Sequence, residues 1–236
     1  MGTRRPLVDR MRRLLRLPTP PEDPDLAALY HACRLHPGKR QLQQAIAETR
    51  FVVLDTETTG FEVFAGDEMI AIAMLEYQGY TATGERYQTL IHPGRPIPAS
   101  STAIHGIDDA DVRDAPAIER IFPDIVRFIG DGVLVGHHVD FDLRFLNKYL
   151  RQLVGCRFRN LWLDTMLLYT GLTGRLGHYT LEEVAAWCGH PVQNRHTALG
   201  DARAAADIFT TLGPRICPSE APLQKLHDRQ FSTEAI

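Results

Sequence analysis

The stretch FVVLDTETTG, residues 51–60, joins a short apolar run to a pair of carboxylates. Four apolar residues precede Asp55, and Glu57 follows after a single threonine. Side chains two residues apart on a strand point the same way, so Asp55 and Glu57 should face one side. Two like charges this close repel each other and add nothing to a core, but they are suited to holding a cation. The stretch therefore predicts a strand at 51–55 that ends at a sheet edge supplying oxygen ligands.

The rest of the chain predicts a mixed α/β fold. Strands are expected at 51–55, 68–78, 85–92 (after a turn at Gly84), 133–137 and 161–165. Helices are expected at 118–130, 140–154, 181–188 and 197–213, the last ended by Gly213 and Pro214. Three antiparallel strands followed by strand–helix alternation are typical of a mixed sheet with helices on its faces.

The two ends of the chain differ from this central part. Residues 1–49 predict a small helical N-terminal extension, with helices at 6–16, 25–35 and 39–49 and a proline-rich break at 18–25. The helix at 6–16 is basic and amphipathic, so a membrane, a partner or nucleic acid could bind it, although we favour packing on the main domain. We expect one main domain at 50–214 and a C-terminal tail at 215–236.

Charge and cysteine content limit the class of protein. The net charge is −3 over 236 residues, but residues 1–50 carry +5 and the remainder −8. This excludes a globally basic nucleic-acid binder, while an acidic domain can still bind a polyanion if metal cations neutralise its carboxylates. The four cysteines lie far apart, and no signal peptide or apolar run of membrane-spanning length occurs. We therefore expect a soluble, cytoplasmic protein with no membrane partner.

Two further segments place acidic residues where strands end or helices begin. Asp142 lies in HHVDFDLRFLN, just after the strand at 133–137, and HTALGDA contains His196 and Asp201. Each has a structural explanation when taken singly, such as a helix-dipole carboxylate or a capping histidine. Together at one sheet edge, four carboxylates can hold two hard divalent cations, and a histidine of near-neutral pKa can accept a proton from water. These residue types favour phosphodiester hydrolysis over acyl transfer or redox chemistry.

The segments VVLDTETTG, HHVDFDLRFLN and HTALGDA resemble the three motifs of the DEDDh group of DnaQ-like 3′–5′ exonucleases. The proofreading epsilon subunit of bacterial DNA polymerase III typifies this group. The resemblance covers roughly residues 50–213 and includes AIHGIDDADV at 103–112. It implies a ribonuclease H-like α/β fold, two Mg²⁺ or Mn²⁺ ions, and release of nucleoside 5′-monophosphates from a nucleic-acid 3′ end.

The resemblance also implies roles for individual residues. Its metal ligands correspond to Asp55, Glu57, Asp142 and Asp201, its general base to His196, and its contacts with the terminal nucleotide to Thr58 and His105. These carboxylates and His196 make up the implied catalytic set.

The chain departs from the family pattern at one place, because His138 stands where the second motif often has asparagine. A neutral histidine can replace asparagine as a hydrogen-bonding residue, so we expect activity to be kept. Asp140 is a competing ligand, but it precedes Phe141 and lacks the family register, so Asp142 is preferred. Asp164 is expected to have mainly a structural role.

We expect the substrate to be single-stranded DNA, in proofreading or repair, with a polymerase or repair protein as a partner. One alternative is 3′-end trimming of RNA or short oligonucleotides, which uses the same catalytic set. The other is a non-catalytic, nuclease-like binding module of a polymerase complex. A pure scaffold would have no physical reason to keep four acids and His196, so we favour the enzyme.

Overall fold

A five-stranded mixed sheet forms the centre of the chain in the computed structural model, which describes residues 22–32 and 38–232. The strands are β1 Arg50–Thr58, β2 Met69–Gln78, β3 Thr81–Leu90, β4 Val133–Gly136 and β5 Trp162–Asp164. Their order is β3-β2-β1-β4-β5; the β1–β2 and β2–β3 pairs are antiparallel, and the β1–β4 and β4–β5 pairs are parallel. The predicted mixed sheet is confirmed.

Nine α-helices surround this sheet within the described ranges. They are α1 Pro24–Ala32, α2 Gly38–Leu42, α3 Ala99–His105, α4 Ile118–Ile129, α5 Asp140–Val154, α6 Thr165–Thr173, α7 Leu181–Cys188, α8 Ala198–Ile216 and α9 Leu223–Arg229. A short 3₁₀ helix, Ile46–Glu48, leads into β1. The predicted helix at 6–16 lies outside the described residues.

The central strand β1 buries both of its faces, each in a different core. Val52 and Leu54 pack with α4 and α5 on one side of the sheet. Phe51 and Val53 pack with α8 on the other side. Because side chains alternate along a strand, every later residue of β1 is assigned to one of these two layers.

Two predicted strand boundaries are wrong. β1 continues through the carboxylates to Thr58, because antiparallel pairing with β2 extends to the Glu57–Ala71 pair and beyond. The turn between β2 and β3 lies at Gly79 rather than at Gly84. Gly84, with φ of +91°, lies inside β3 where the register with β2 shifts, which is a conformation that glycine adopts without strain.

Two predicted helix ends are also wrong. The helix expected at 39–49 ends at Leu42, because Ala45 forms an isolated bridge with Pro222 and the chain turns into the 3₁₀ helix. The helix expected to stop at Gly213 continues as α8 to Ile216. At Gly213 a Cβ would collide with the Tyr80 ring, so glycine lets this last turn pack closely against the turn between β2 and β3.

The described parts of both flanking segments pack against helices that cover the sheet. Leu29 in α1 is buried with α4 and α5, whereas Leu223 and Leu226 in α9 are buried with α8. The helices α3, α6 and α9 had no counterpart in the sequence-based assignment. The division of the chain into an extension at 1–49, a main domain at 50–214 and a tail at 215–236 remains a proposal based on the sequence motifs. No helix in the described ranges has the length and hydrophobicity needed to cross a membrane.

Candidate active site

The two faces of β1 are covered by different helices, α8 and α5, and each of these helices contains one of the remaining candidate carboxylates. Asp55 and Glu57 continue the face of Phe51 and Val53, which is the face covered by α8 and its Asp201. Thr56 interrupts them and belongs to the opposite face, which α5 covers. One strand therefore reaches both helices that carry the remaining candidate carboxylates.

Small side chains let the start of α8 approach the sheet. Ala71 and Ala73 on β2, which pair with Glu57 and Asp55 respectively, pack against the alanines of α8. The alanines of α8 in this cluster are Ala198 and Ala202, which flank Asp201. Larger residues here would hold the helix away from the strand, so the alanines allow the acids to meet.

The acidic cluster is tight. One ligand atom from each of Asp55, Glu57 and Asp201 lies within 4.8 Å of the other two. Asp142 lines the same cavity of about 500 Å³, together with Thr58, His105 and His196. The structure thus brings all seven candidate residues from the sequence to one cavity.

Burial and mutual repulsion raise the pKa of these carboxyl groups. For Asp55, burial is the largest cause, followed by the charges of Asp142, Asp201 and Glu57. Burial and then Asp201 raise the pKa of Glu57 to about 7. Burial likewise raises the pKa of Asp142 to about 7, although a hydrogen bond from Thr56 opposes the shift. Such a cluster favours protons or cations over free negative charge.

Asp142 is held in place from the strand. The Oγ1 of Thr56 donates a hydrogen bond of 2.6 Å to Asp142 Oδ1, and both residues are buried. Asp164 supports the same region, because its Oδ2 accepts from the Val139 amide just before α5 and its Oδ1 accepts from the Met166 amide in α6. Asp140 is exposed, and its Oδ2 accepts from Arg144 Nε at 2.7 Å. Asp142 rather than Asp140 therefore faces the cavity.

A strained loop carries His196 to the cavity. Asn194 and His196 have φ values of +52° and +61°, in the left-handed region that non-glycine residues rarely adopt. Gly200 in α8 lies so close that a Cβ would collide with the Asn194 carbonyl oxygen. The His196 amide donates to Asp201 Oδ1 at 3.3 Å, which ties the histidine to one of the acids. Within the described ranges, no hydrogen bond engages the His196 imidazole.

Thr58 and His105 lie next to each other in the lining of the cavity. His105 is buried, and its Nδ1 accepts from the Ile107 amide at 3.1 Å. Burial lowers its pKa, and the Thr58 backbone opposes that shift. A neutral imidazole beside the Thr58 backbone can contact an uncharged part of a ligand, such as a sugar hydroxyl.

The position of the expected asparagine is occupied by a histidine in a crowded, left-handed conformation. His138 has φ of +58°, and its ring stacks on His178 with a centroid distance of 4.3 Å. Its neighbour His137 is fixed by Thr165 Oγ1 and by the Tyr179 carbonyl, and burial lowers the pKa of His137 to about 4. His138 lines the cavity, and its buried Nε2 has no partner among the described residues.

Sequence reasoning missed several residues of this cavity. Phe61 and Ile104 are apolar and line the cavity, yet these residues are 75% and 50% exposed. Arg195 forms ion pairs with Asp201 and with Glu182. A large apolar residue directly after the Gly60 turn was the available signal for Phe61. No local pattern distinguishes Arg195 from an ordinary surface arginine.

Comparison with known proteins decides the family. A family model described as exonuclease matches residues 52–209, from β1 into α8. The chain belongs to this family of 3′–5′ exonucleases. The region matched includes every candidate site residue described above.

This exonuclease is similar to two curated bacterial relatives. It is 42% identical over 182 residues to a DNA polymerase III subunit epsilon-like protein of Rhodobacter capsulatus, covering 74% of this chain and 26% of that protein. It is 36% identical over 173 residues to the DNA polymerase III subunit epsilon of Aquifex aeolicus, covering 73% of this chain and 85% of that protein. The exonuclease thus spans about a quarter of the first relative and most of the second.

Solved structures share the fold of this exonuclease. Exonuclease X in complex with 5′ overhanging duplex DNA has a TM-score of 0.58 at 24% identity and covers 75% of this chain and 99% of that one. The nuclease domain of 3′hExo, a DEDDh family member bound to rAMP, has a TM-score of 0.63 at 15% identity and covers 74% and 96% respectively. At these identities the likeness concerns the fold. The predicted ribonuclease H-like fold is confirmed.

The acidic cluster of Asp55, Glu57 and Asp201 offers the hard oxygen ligands that divalent metal ions select.

Proposed function

We propose that this exonuclease removes nucleotides from the 3′ end of single-stranded DNA, in proofreading or repair, and releases nucleoside 5′-monophosphates. One observation supports this most strongly. Carboxylates from three separate segments (β1, α5 and α8) and the histidine of a strained loop line a single open cavity. That combination serves phosphodiester hydrolysis and has no evident purpose in a core.

The donor set fits a pair of hard cations. Asp55, Glu57, Asp142 and Asp201 would hold them, and the charges of the other three acids all act on the Asp55 carboxyl group. We favour Mg²⁺ or Mn²⁺, because the donors are carboxylate oxygens with no thiolate in the cluster. When bound, such ions supply Lewis acidity, which activates water and stabilises the departing 3′ oxygen.

His196 would act as the general base. Its imidazole borders the cavity, and its amide donates a hydrogen bond to Asp201 Oδ1, which links the base to the acidic cluster. The imidazole would accept a proton from the attacking water, whose oxygen would form a new bond to phosphorus. The bond between phosphorus and the 3′ oxygen of the penultimate nucleotide would break, and that oxygen would take up a proton from solvent. The proton on the imidazole can leave to solvent because His196 is only half-buried.

The terminal nucleotide would be held by polar and apolar groups that line the same cavity as His196. Thr58 and His105 offer hydrogen bonds to the sugar and the 3′ hydroxyl. Phe61 and Ile104 offer exposed apolar surface on which an unpaired base can stack. A base held in this way must be unstacked from its neighbour, which favours a single-stranded or frayed 3′ end.

The relatives support the DNA assignment and a partner. Two curated relatives are named for the epsilon subunit of DNA polymerase III, and a structural neighbour was solved with duplex DNA. We therefore propose DNA as the substrate, a polymerase or repair protein as the partner, the cytoplasm as the compartment, and no membrane partner.

A comparison of two neighbouring aspartates tests the proposal. Asp142→Asn should lose at least about 100-fold in the rate of mononucleotide release. Asp140→Asn, changed in the same way two residues earlier but exposed and paired with Arg144, should keep near-normal rates. Single-stranded DNA, duplex DNA with a mismatched 3′ end, and RNA should be compared side by side. Equal rates for the two variants would contradict the site, and faster degradation of RNA would contradict the substrate.

A further inference from the structure

Arg195 contacts the acidic cluster but has no part in the proposed reaction. Its guanidinium pairs with Asp201 on α8 and with Glu182 on α7. Among the described residues that line the cavity, Arg195 is the only arginine or lysine. It therefore places one fixed positive charge beside carboxylates that otherwise repel each other, and it lowers the pKa of both Asp55 and Glu57 against the effect of burial.

The backbone holds Arg195 in place. The residues on either side, Asn194 and His196, have left-handed φ values. The Asn194 carbonyl accepts a hydrogen bond of 2.7 Å from Thr197 Oγ1 and packs against Gly200. This loop is anchored to the first turn of α8, so the guanidinium is presented to Asp201 by a fixed support.

Asp201 has two oxygens, and both are engaged. Its Oδ2 pairs with Arg195, and its Oδ1 accepts from the His196 amide at 3.3 Å. The same carboxylate is one of the three whose ligand atoms lie within 4.8 Å of one another. A cation that binds this group must share the lone pairs and the charge that the guanidinium already uses.

We propose that Arg195 is a resident counter-cation that competes with a divalent metal ion for Asp201, and so sets the metal concentration at which the site assembles. The inference rests on the proposed metal-dependent reaction. Glu182, which is not part of the cavity lining, pairs with the other side of the guanidinium and so weakens the hold of Arg195 on Asp201. Without the Glu182 carboxylate, Arg195 would pair with Asp201 only and would compete more strongly with a metal ion.

A control variant can separate direct competition for Asp201 from a long-range effect of positive charge on metal affinity. Arg203 lies on α8 two residues after Asp201, is exposed, and lines a separate cavity of about 250 Å³ with Asp207. Arg203→Gln removes the same charge from the same helix without touching the acidic cluster. It is therefore the matched control for Arg195→Gln.

The test is calorimetric titration of Mn²⁺ into the full chain without nucleic acid, at about pH 8.5, where protons compete little with the metal. Arg195→Gln should tighten Mn²⁺ binding about 3- to 30-fold, and Arg203→Gln should change it by less than about twofold. Arg195→Lys should tighten binding less than Arg195→Gln, because lysine keeps the charge but lacks the two-pronged contact. Glu182→Gln should weaken binding, and the double variant with Arg195→Gln should bind like Arg195→Gln alone.

Several results would overturn the inference. Unchanged or weaker Mn²⁺ binding in Arg195→Gln, with normal thermal melting, would show that the arginine does not compete for Asp201. A double variant whose affinity is the simple sum of the two single effects would show that Glu182 and Arg195 act as independent charges. If the parent chain bound no Mn²⁺ at all, the proposed metal site itself would be wrong. This outcome differs from one in which the parent binds Mn²⁺ and Arg195→Gln binds it with the same affinity, which would contradict only the role of Arg195.

Discussion

The hydrogen bond from Thr56 to Asp142 offers a sharp test of how the site is built. The bond is 2.6 Å long, both partners are buried, and it crosses from β1 to α5. Thr56→Val keeps the shape and the strand propensity of the side chain but removes the donor. A hydrogen bond to a charged group contributes about 1.5–3 kcal/mol. Since about 1.4 kcal/mol is a factor of ten, we expect kcat/KM to fall about 10- to 100-fold.

The assay is mononucleotide release from a single-stranded oligonucleotide across a pH series. Burial holds the pKa of Asp142 at about 7, and the Thr56 hydrogen bond lowers it. Removing the donor should therefore raise that pKa and move the acidic limb of the rate profile to higher pH. Thr49→Val is the control, because Thr49 is also buried but donates to the Ala45 carbonyl at the far end of β1. A Thr56→Val enzyme with the parent's rate and the parent's acidic limb would refute this account of Asp142.

Three further predictions follow from individual contacts. Gly200→Ala should lower kcat at least about tenfold, measured by single-turnover kinetics, because the new Cβ displaces the loop of His196; a parent-like kcat would contradict this contact. In EDTA, the parent should melt at lower temperature as pH rises from about 5 to 8. The folded pKa of Glu57, about 7, lies above its unfolded value, so the folded state binds a proton that the unfolded state has lost, and this stabilisation disappears as pH rises. Glu57→Gln should flatten that dependence in thermal melts, and an unchanged slope would exclude Glu57 as its source. Phe61→Ala should raise KM for single-stranded DNA about 5- to 100-fold, whereas Phe64→Ala, equally exposed but outside the cavity, should leave KM unchanged; equal effects would exclude base stacking on Phe61.

Much of the fold was predictable because its signals are local. The apolar run before Asp55 predicts a buried strand, and the amphipathic pattern at 140–154 predicts α5 with the bounds that it has. The alternation of β1 also predicts that Asp55 and Glu57 share a face. These features depend on periods of two and of about 3.6 residues, which a single sequence displays directly.

The boundaries that were wrong depend on distant partners. β1 extends past Asp55 because β2 pairs with it, and α8 passes Gly213 because Tyr80 packs there. No window of sequence around Gly213 contains the aromatic ring that makes the glycine useful. Tertiary contacts of this kind override local helix-ending signals.

The same division applies to the site. The acids and His196 could be selected because their spacing relative to strands and helices is regular. The contacts that orient them could not, since Thr56 reaches Asp142 across 86 positions and Glu182 engages Arg195 from another helix. Sequence therefore predicted that the acids and His196 meet at one cavity, whereas the structure was needed to see what orients them and which other residues line it.

The central claim is that the acidic cavity degrades nucleic acid from the 3′ end by a metal-dependent reaction. The most direct measurement uses one single-stranded oligonucleotide with distinguishable labels at its two ends, followed over time with Mg²⁺ and with EDTA. We predict that the 3′ label leaves first, as a nucleoside 5′-monophosphate, and that EDTA abolishes its release. Early release of the 5′ label, internal fragments, or undiminished degradation in EDTA would contradict the account.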